Sequence, residues 1–326
     1  MCTAISWRPG EHYFGRNLDL ELSYDESITV TPRCFPLEFH HLPTLCRHHA
    51  FFGVAYVQQG YPLYYDAVNE AGLCIAGLRF ARHAHYAAVQ EGKQNVASFE
   101  LIPYLLARCS DLSEVRVTLS QLNITDTAFS KELPPSPLHW LAADDSGALT
   151  VEQTAEGLQI YENPVGVLTN EPPFPQQLQR LADFMQLSPQ PPENRLVPHV
   201  PLTVYSRGLG AMGLPGDSSS ASRFVRAVFG RTHAASGSSE ENICRFFHLL
   251  QNTAQIRGCV RTEEDKEERT IYSSCCDTKR MIYYYTTEHC SALTAVELCL
   301  EDMDREQLVS YPMLHTTRLL LQNAKS

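Results

Sequence analysis

Apolar and polar residues alternate with a period near two along the first third of the chain, which predicts strands at residues 2–6, 12–16, 27–31, 51–57, 63–69 and 73–78. Glu70-Ala71-Gly72 reads as a hairpin connection between the last two. The period then lengthens. Phe99, Ile102, Leu105, Leu106 and Cys109 share one helical face, and Ser110 is the expected N-cap of a second helix carrying Leu112, Val115, Leu119 and Leu122. Short alternating runs resume at 138–143, 148–153, 158–162 and 166–168, with Asp144-Asp145-Ser146-Gly147 turning between the first two. Residues 189–201 are proline-rich and read as an ordered surface loop. Helices follow at 220–229 and 240–253, and then a hairpin of 270–276 with 281–287 that turns at Asp277-Thr278-Lys279-Arg280. The charged run 263–269 reads as a solvated loop or strand end. Grouped strands and grouped helices imply layered α+β packing rather than a parallel βαβ repeat.

Composition narrows the function. The 326 residues are 44% hydrophobic and 19% charged, ordinary for a globular protein, and are expected to form a single domain, 1–326. The formal charge of −11, with no dense basic stripe, gives nucleic-acid binding no electrostatic support. Eleven cysteines cannot all pair within one chain. Arg8, Glu11 and His12 interrupt the opening, so no secretory leader is expected, and no apolar run approaches a membrane span. Free thiols in a reducing cytoplasm are the simplest expectation. Adjacent Cys275 and Cys276 read as strand residues facing opposite sides.

The chemistry begins at Met1-Cys2-Thr3. Initiator methionine is commonly removed before a small residue, and its loss leaves one residue carrying both a thiol and a free α-amine. The thiol supplies a nucleophile and the amine, titrating near neutrality, a base. Phe14-Gly15-Arg16-Asn17-Leu18-Asp19 places a guanidinium and a carboxylate three residues apart just after a strand. By spacing alone the pair reads first as a surface salt bridge. The alternative is a carboxylate that holds the amine and a cation that favours the thiolate. Gly208-Leu209-Gly210-Ala211-Met212-Gly213 matches a dinucleotide fingerprint but is followed by Pro215-Gly216, which stops the required helix, so the segment reads as a glycine-rich loop. His40, His41, His48 and His49 with Cys34 and Cys46 fit no compact zinc spacing, and neither a metal nor a cofactor is expected.

Taken in order, these strings resemble the choloylglycine hydrolases, the bile salt hydrolases and penicillin V acylases among the N-terminal nucleophile hydrolases. The resemblance rests on Met1-Cys2-Thr3, the 14–19 string, Asn69-Glu70 with Gly72-Leu73, and Ala76-Gly77-Leu78. It continues through Pro137-Leu138-His139-Trp140, Gly166-Val167-Leu168-Thr169-Asn170, Gly213-Leu214-Pro215-Gly216-Asp217, Ala221-Ser222-Arg223-Phe224 and Tyr283-Tyr284-Tyr285. It implies an αββα sandwich of two antiparallel sheets between helix layers. It also implies amide cleavage through a thioester on Cys2, with Asp19 orienting the amine, Arg16 beside the thiolate and Arg223 completing a charged network. Asn170 and the backbone N–H of Arg79 would form the oxyanion hole.

The resemblance further implies a small-molecule substrate, a conjugated bile salt, with penicillin V or another N-acyl amide as the alternative. A non-catalytic binding protein of the same fold is the reading from another class, disfavoured because Cys2, Arg16, Asp19, Asn170 and Arg223 are all present. Leu18, Phe129 and Leu133 stand at positions that contact the substrate body in similar enzymes, and Gln58 replaces a commonly apolar one. Arg79 departs from the family's usual Asn or Tyr and touches substrate choice more than catalysis. Arg207, in Ser206-Arg207-Gly208, resembles variants that prefer glycine conjugates over taurine conjugates. The resemblance carries with it a bacterial cytoplasmic homotetramer.

Overall fold

The computed structural model describes residues 1–317, 319 and 321–323. In chain order the strands are β1 (Cys2–Trp7), β2 (Tyr13–Leu20), β3 (Ser27–Thr31), β4 (Phe51–Gln58), β5 (Tyr61–Asn69), β6 (Cys74–Arg79), β7 (Gln94–Ala97), β8 (Leu122–Thr125) and β9 (Leu138–Ala143). There follow β10 (Ala148–Thr154), β11 (Gly157–Glu162), β12 (Val167–Leu168), β13 (Val260–Arg261), β14 (Glu267–Asp277), β15 (Ile282–Thr287), β16 (Cys290–Glu297) and β17 (Val309–Pro312). The helices are α1 (Leu101–Arg108), α2 (Leu112–Gln121), α3 (Phe174–Arg180), α4 (Ser220–His233) and α5 (Ser239–Gln251).

Two antiparallel sheets stack face to face. The first runs β12-β1-β2-β14-β15-β16, with β13 paired to β14, and the second runs β11-β10-β9-β6-β5-β4-β3-β17. Helix α1 packs on β5 and β6, while α4 packs on β1 and β12 and α5 on β14 and β2. The order of layers is therefore helix, sheet, sheet, helix, the αββα arrangement expected. Each layer buries its own apolar side chains. Leu101, Leu105 and Leu106 of α1 close over Ile75 and Ala142, and Phe246 and Leu250 of α5 close over the other sheet.

The period-two rule sets what each strand aims where. Along β2, Phe14, Arg16 and Leu18 face the opposing sheet, and Asn17 faces α5, to which its side-chain amide donates at Leu250 O (2.8 Å). The antiparallel register Cys2↔Leu18, Thr3↔Asn17, Ala4↔Arg16 carries the same division into β1. Gly15 is required here, because a Cβ would land on the carbonyl oxygen of Ser274 in β14.

Three expectations change. Strand β2 runs through Leu20 and so contains the whole 14–19 string, whose polar residues are buried and bonded rather than marking a strand end. Arg16 and Asp19 are both fully buried, so they are not a surface salt bridge. Helix α2 is capped by Asp111, which accepts from Glu114 N (2.9 Å), one residue later than Ser110. The sequence reading also lacked α3, β16, β17 and the parallel pair β7–β8. The loop through 189–201 is irregular, and the 208–213 glycines hold a single 3₁₀ turn, with Gly208 and Gly213 in the left-handed region.

Two buried polar side chains, Asn69 of a family string and His12, serve folding. Asn69 donates from its side chain to Leu106 O and Cys109 O and accepts from Ala71 N and Leu73 N, so one amide fastens the end of α1 to the β5–β6 turn. Asn69→Ala leaves several buried groups unbonded and is expected to cost about 3 kcal/mol, read as a lower denaturant midpoint at unchanged slope. His12 is 2% exposed, with Nε2 at 3.0 Å from Ser6 Oγ and Nδ1 without a partner. Burial pushes it down to about 4, with Arg8 adding to the shift and Asp145 opposing it. A His held neutral contributes stability that is full above its unfolded value near 6.5 and is lost as pH falls toward 4. Wild type should therefore lose about 3 kcal/mol more than His12→Gln across that window. Equal losses in pH-dependent urea melts would contradict this.

Candidate active site

The site forms where β5 and β6 part. Their pairing ends at Asp66↔Ala76, leaving the carbonyls of Gly77 and Arg79 on a free edge of β6. Arg16 reaches across from the other sheet into this gap. One Nη1 donates to Gly77 O (2.5 Å) and Tyr65 O (3.0 Å), and Nε donates to Asn17 O (3.3 Å). Two rungs along, Asn170 Nδ2 donates to Arg79 O (2.8 Å).

The backbone N–H of Arg79 lies on that same edge. Phe80 N donates to Pro137 O across β9, so Arg79↔Leu138 is a pair whose N–H and C=O groups point away from each other. The Arg79 side chain is exposed.

Cys2 begins β1 opposite Leu18, on the face shared with Arg16. It is 3% exposed. Its backbone N donates to Asn170 Oδ1 (2.8 Å). Thr3 and Asp19 lie on the opposite face, toward α4. There Arg223, fully buried, donates from Nη1 to Cys2 O (2.5 Å) and Thr3 Oγ1 (2.7 Å), from Nη2 to Asn170 Oδ1 (2.7 Å) and from Nε to Ser218 O (3.1 Å). Asp19 Oδ2 stands 4.0 Å from Arg223, and Oδ1 accepts from Thr270 Oγ1 (2.6 Å). Arg16 and Asp19 thus occupy opposite faces of β2, each with its own partner.

Helix α4 carries Arg223 because its start is pinned twice. Ser219 caps it through Ser222 N, and Asp217 accepts from Ser219 N (2.9 Å) and Ser222 Oγ (2.6 Å), bonds that hold the Asp217 carboxyl far below its usual range.

Met1 occupies the end of the same ladder. Asp19 N donates to Met1 O (3.0 Å), and the Met1 ammonium donates to Asp19 O (2.8 Å) and pairs with Glu268. Burial pushes this amine below its ordinary value, against the pull of Cys2 and Asp19. Burial also works against the charge of Arg16, yet Cys2, Tyr272, Asp66 and Asp19 together raise its pKa above the usual arginine value. Beneath Arg16, Asp66 accepts from Tyr272 Oη (2.5 Å), Tyr283 Oη and Ser274 Oγ (3.3 Å), and burial pushes its carboxyl up.

The sequence analysis missed this supporting set: Asp66, Thr270, Tyr272, Glu268, Ser220 and Gln177. Ser220 Oγ accepts from Asn170 N (2.8 Å), and Gln177 Nε2 donates to Asn170 O and Pro172 O. Only the Tyr283-Tyr284-Tyr285 string hinted at any of it.

The remaining substrate-contact candidates spread out. Leu18 stands beside Cys2. Gln58 accepts from Tyr56 Oη (2.9 Å) at the β4–β5 turn. Phe129 stacks near Tyr61 and Phe99, with its backbone N bonded to Leu133 O (3.2 Å), so these two line up with Gln58 around that hairpin. Arg207 is exposed in the loop ahead of α4, and the structure does not bring it to Cys2 through any hydrogen bond or ion pair among the described residues. His40 pairs with Glu100 (2.8 Å), and His48 sits between the carbonyls of His49 and Phe35. Among the described residues no helix is long and apolar enough to cross a membrane.

Residues 2–311 match the linear amide C–N hydrolases, choloylglycine hydrolase family. The chain is 47% identical over 314 residues to a bile salt hydrolase/transferase of Lactiplantibacillus plantarum, covering 96% of this chain and 97% of that one. It is 36% identical over 318 residues to a bile salt hydrolase/transferase of Clostridium perfringens, covering 95% and 96%. Its fold superposes on the C2A mutant of the conjugated bile acid hydrolase from Clostridium perfringens with a TM-score of 0.91 at 34% identity, over 99% of this chain and 100% of that one. The penicillin V acylase of Agrobacterium tumefaciens shares the fold at 21% identity and a TM-score of 0.76, over 95% and 91% of the two chains. With Cys2 at the head of β1 inside an αββα sandwich and a match that spans nearly its whole length, the chain belongs to the choloylglycine hydrolase family of linear amide C–N hydrolases.

Proposed function

We propose that this protein hydrolyses conjugated bile salts to the free bile acid and glycine or taurine, with Cys2 as its N-terminal nucleophile once Met1 is lost. The observation that carries this is Asn170: its Oδ1 meets Cys2 N at 2.8 Å, and its Nδ2 reaches the same β6 edge that bears the Arg79 N–H. Family membership and the names of the relatives supply the substrate class.

The residues then divide the work. The freed α-amine of Cys2 takes the thiol proton, and Sγ attacks the amide carbon. Arg16, buried on the same face, favours the thiolate by its charge. Negative charge grows on the carbonyl oxygen, and two donors meet it, Asn170 Nδ2 and Arg79 N–H. The C–N bond breaks as the Cys2 ammonium returns its proton to the leaving nitrogen. Water, deprotonated by the same amine, then cleaves the thioester and regenerates Sγ. Arg223 and Asp19 hold the backbone of Cys2 and the Asn170 side chain in register. Leu18 offers an apolar wall beside the thiol, and Phe129, Leu133 and Gln58 receive the more distant part of the substrate.

The exposed guanidinium of Arg79 stands ready for the carboxylate or sulfonate of the conjugate, and Arg207 goes with a preference for glycine conjugates. The same reading includes one catalytic domain, cytoplasmic residence and assembly as a homotetramer.

Asn170→Ala should lower kcat by about 10²–10³-fold while the protein still folds. Cys2→Ala should abolish turnover, and active protein should lack Met1 by intact mass. Full turnover with Met1 retained contradicts the mechanism. On glycocholate, taurocholate and penicillin V in parallel, we expect glycocholate to be cleaved fastest. Faster taurocholate cleavage reverses the preference, and cleavage of penicillin V alone removes the bile salt assignment.

A further inference from the structure

His139 lies in a family string that the mechanism leaves unused, yet it is fully buried and touches both halves of the oxyanion site. On one side its Nε2 is 2.9 Å from Thr169 O, the carbonyl directly before Asn170. On the other, its ring stacks on Phe80, directly after Arg79, at 4.3 Å between centroids and 5° between planes. Its Nδ1 is 3.1 Å from Glu152 Oε1. Glu152, equally buried, also accepts from Phe174 N (2.9 Å), the first residue of α3.

The His139–Glu152 couple therefore holds residues 169 and 174 from either end, with Asn170 between them. Each ring nitrogen thus lies within hydrogen-bond distance of a buried oxygen, Nδ1 of Glu152 Oε1 and Nε2 of Thr169 O. A stacked ring and two such bonds fix the plane of the imidazole, and with it the distance between the 79–80 and 169–170 segments. The same two segments are also joined by the Asn170–Arg79 bond and by Arg82 N donating to Glu171 Oε1 (2.9 Å), but His139 is the buried side chain that contacts both.

We infer that His139, oriented by Glu152, is a positioning residue that sets the separation of the two oxyanion donors, Asn170 Nδ2 and Arg79 N–H. This rests on the reading of those two groups as donors. It does not touch substrate and takes no proton in the reaction. Its effect passes through geometry, because donors are effective only when aimed at where the oxyanion will form, and a displacement near 1 Å can cost about 10²-fold in rate.

Conservative variants separate positioning from mere folding. A glutamine amide nitrogen falls near the place of Nε2 and can keep the Thr169 bond. An asparagine nitrogen falls near Nδ1 and keeps only the Glu152 bond. The full-length chain lacking Met1 is assayed on glycocholate, with active sites counted by mass shift of the Cys2 peptide after alkylation. Per counted site, His139→Gln should lose about tenfold in kcat and His139→Asn about a hundredfold, each with KM within about threefold and an unchanged alkylation rate at Cys2. Phe80→Leu, which removes the stack and leaves the imidazole bonds, should lose about tenfold and covers the case in which His139→Asn does not fold. Adding His139→Gln to Asn170→Ala should cost little further, since both act on one element.

If Gln and Asn variants keep wild-type kcat per site, or fall equally together with Cys2 alkylation, the inference is overturned. If Asn170→Ala alone keeps full kcat, the oxyanion reading fails instead. A large loss in Asn170→Ala beside intact His139 variants removes only the brace.

Discussion

A single buried cation, Arg16, decides how the two sheets meet. Its guanidinium enters the place where β5 and β6 separate and satisfies carbonyls that no neighbouring strand can reach. Unbonded, those carbonyls would each cost energy comparable to a lost hydrogen bond. The charge is expensive to bury, and the interior answers it with Asp66, itself held by two tyrosine hydroxyls. Everything else in the site is referred to this plug. Ala4 pairs with Arg16 and Cys2 with Leu18, so the thiol comes to the inner face by strand alternation alone.

Alternation also explains why the site needs two arginines. A strand residue can serve one face only. Arg16 serves the inner face, where the thiol lies, and Arg223 serves the helix-facing side, where the carbonyl of Cys2, Thr3 and Asp19 lie. The two cations are separated by β1 and β2 and do not compete for one partner. Asn170 bridges the division, with its oxygen on Arg223 and Cys2 and its nitrogen on the β6 edge.

The sequence disclosed what is local and periodic. Strands such as β3 and β9 and helices α4 and α5 were legible because each buries one continuous apolar face beside clear turn or cap residues. Strand β2 was cut short because Arg16, Asn17 and Asp19 look like a polar boundary, and only their distant partners make them interior. Edge strand β17 ends on Pro312 and is mostly exposed, so it has no apolar period to detect. The site's named residues were legible through ordered strings. Their supports were not: Thr270 meets Asp19 across 251 positions and Tyr272 meets Asp66 across 206, and nothing local marks either pair.

The role of Met1 follows from the same ladder. It adds a rung to the β1–β2 pairing, donating to and accepting from Asp19, and its ammonium is buried against Glu268. The residue that masks the Cys2 amine is thus a bonded part of the sheet rather than a loose tail. While it remains, Cys2 N is an amide, with no lone pair to take a proton, and its one hydrogen is committed to Asn170 Oδ1. The other bonds on Cys2 do not depend on Met1, since its carbonyl accepts from Arg223 and its nitrogen lies against Asn170 Oδ1. In the proposed mechanism, nucleophile and base therefore arise together on a scaffold that the arginine plug helps to set.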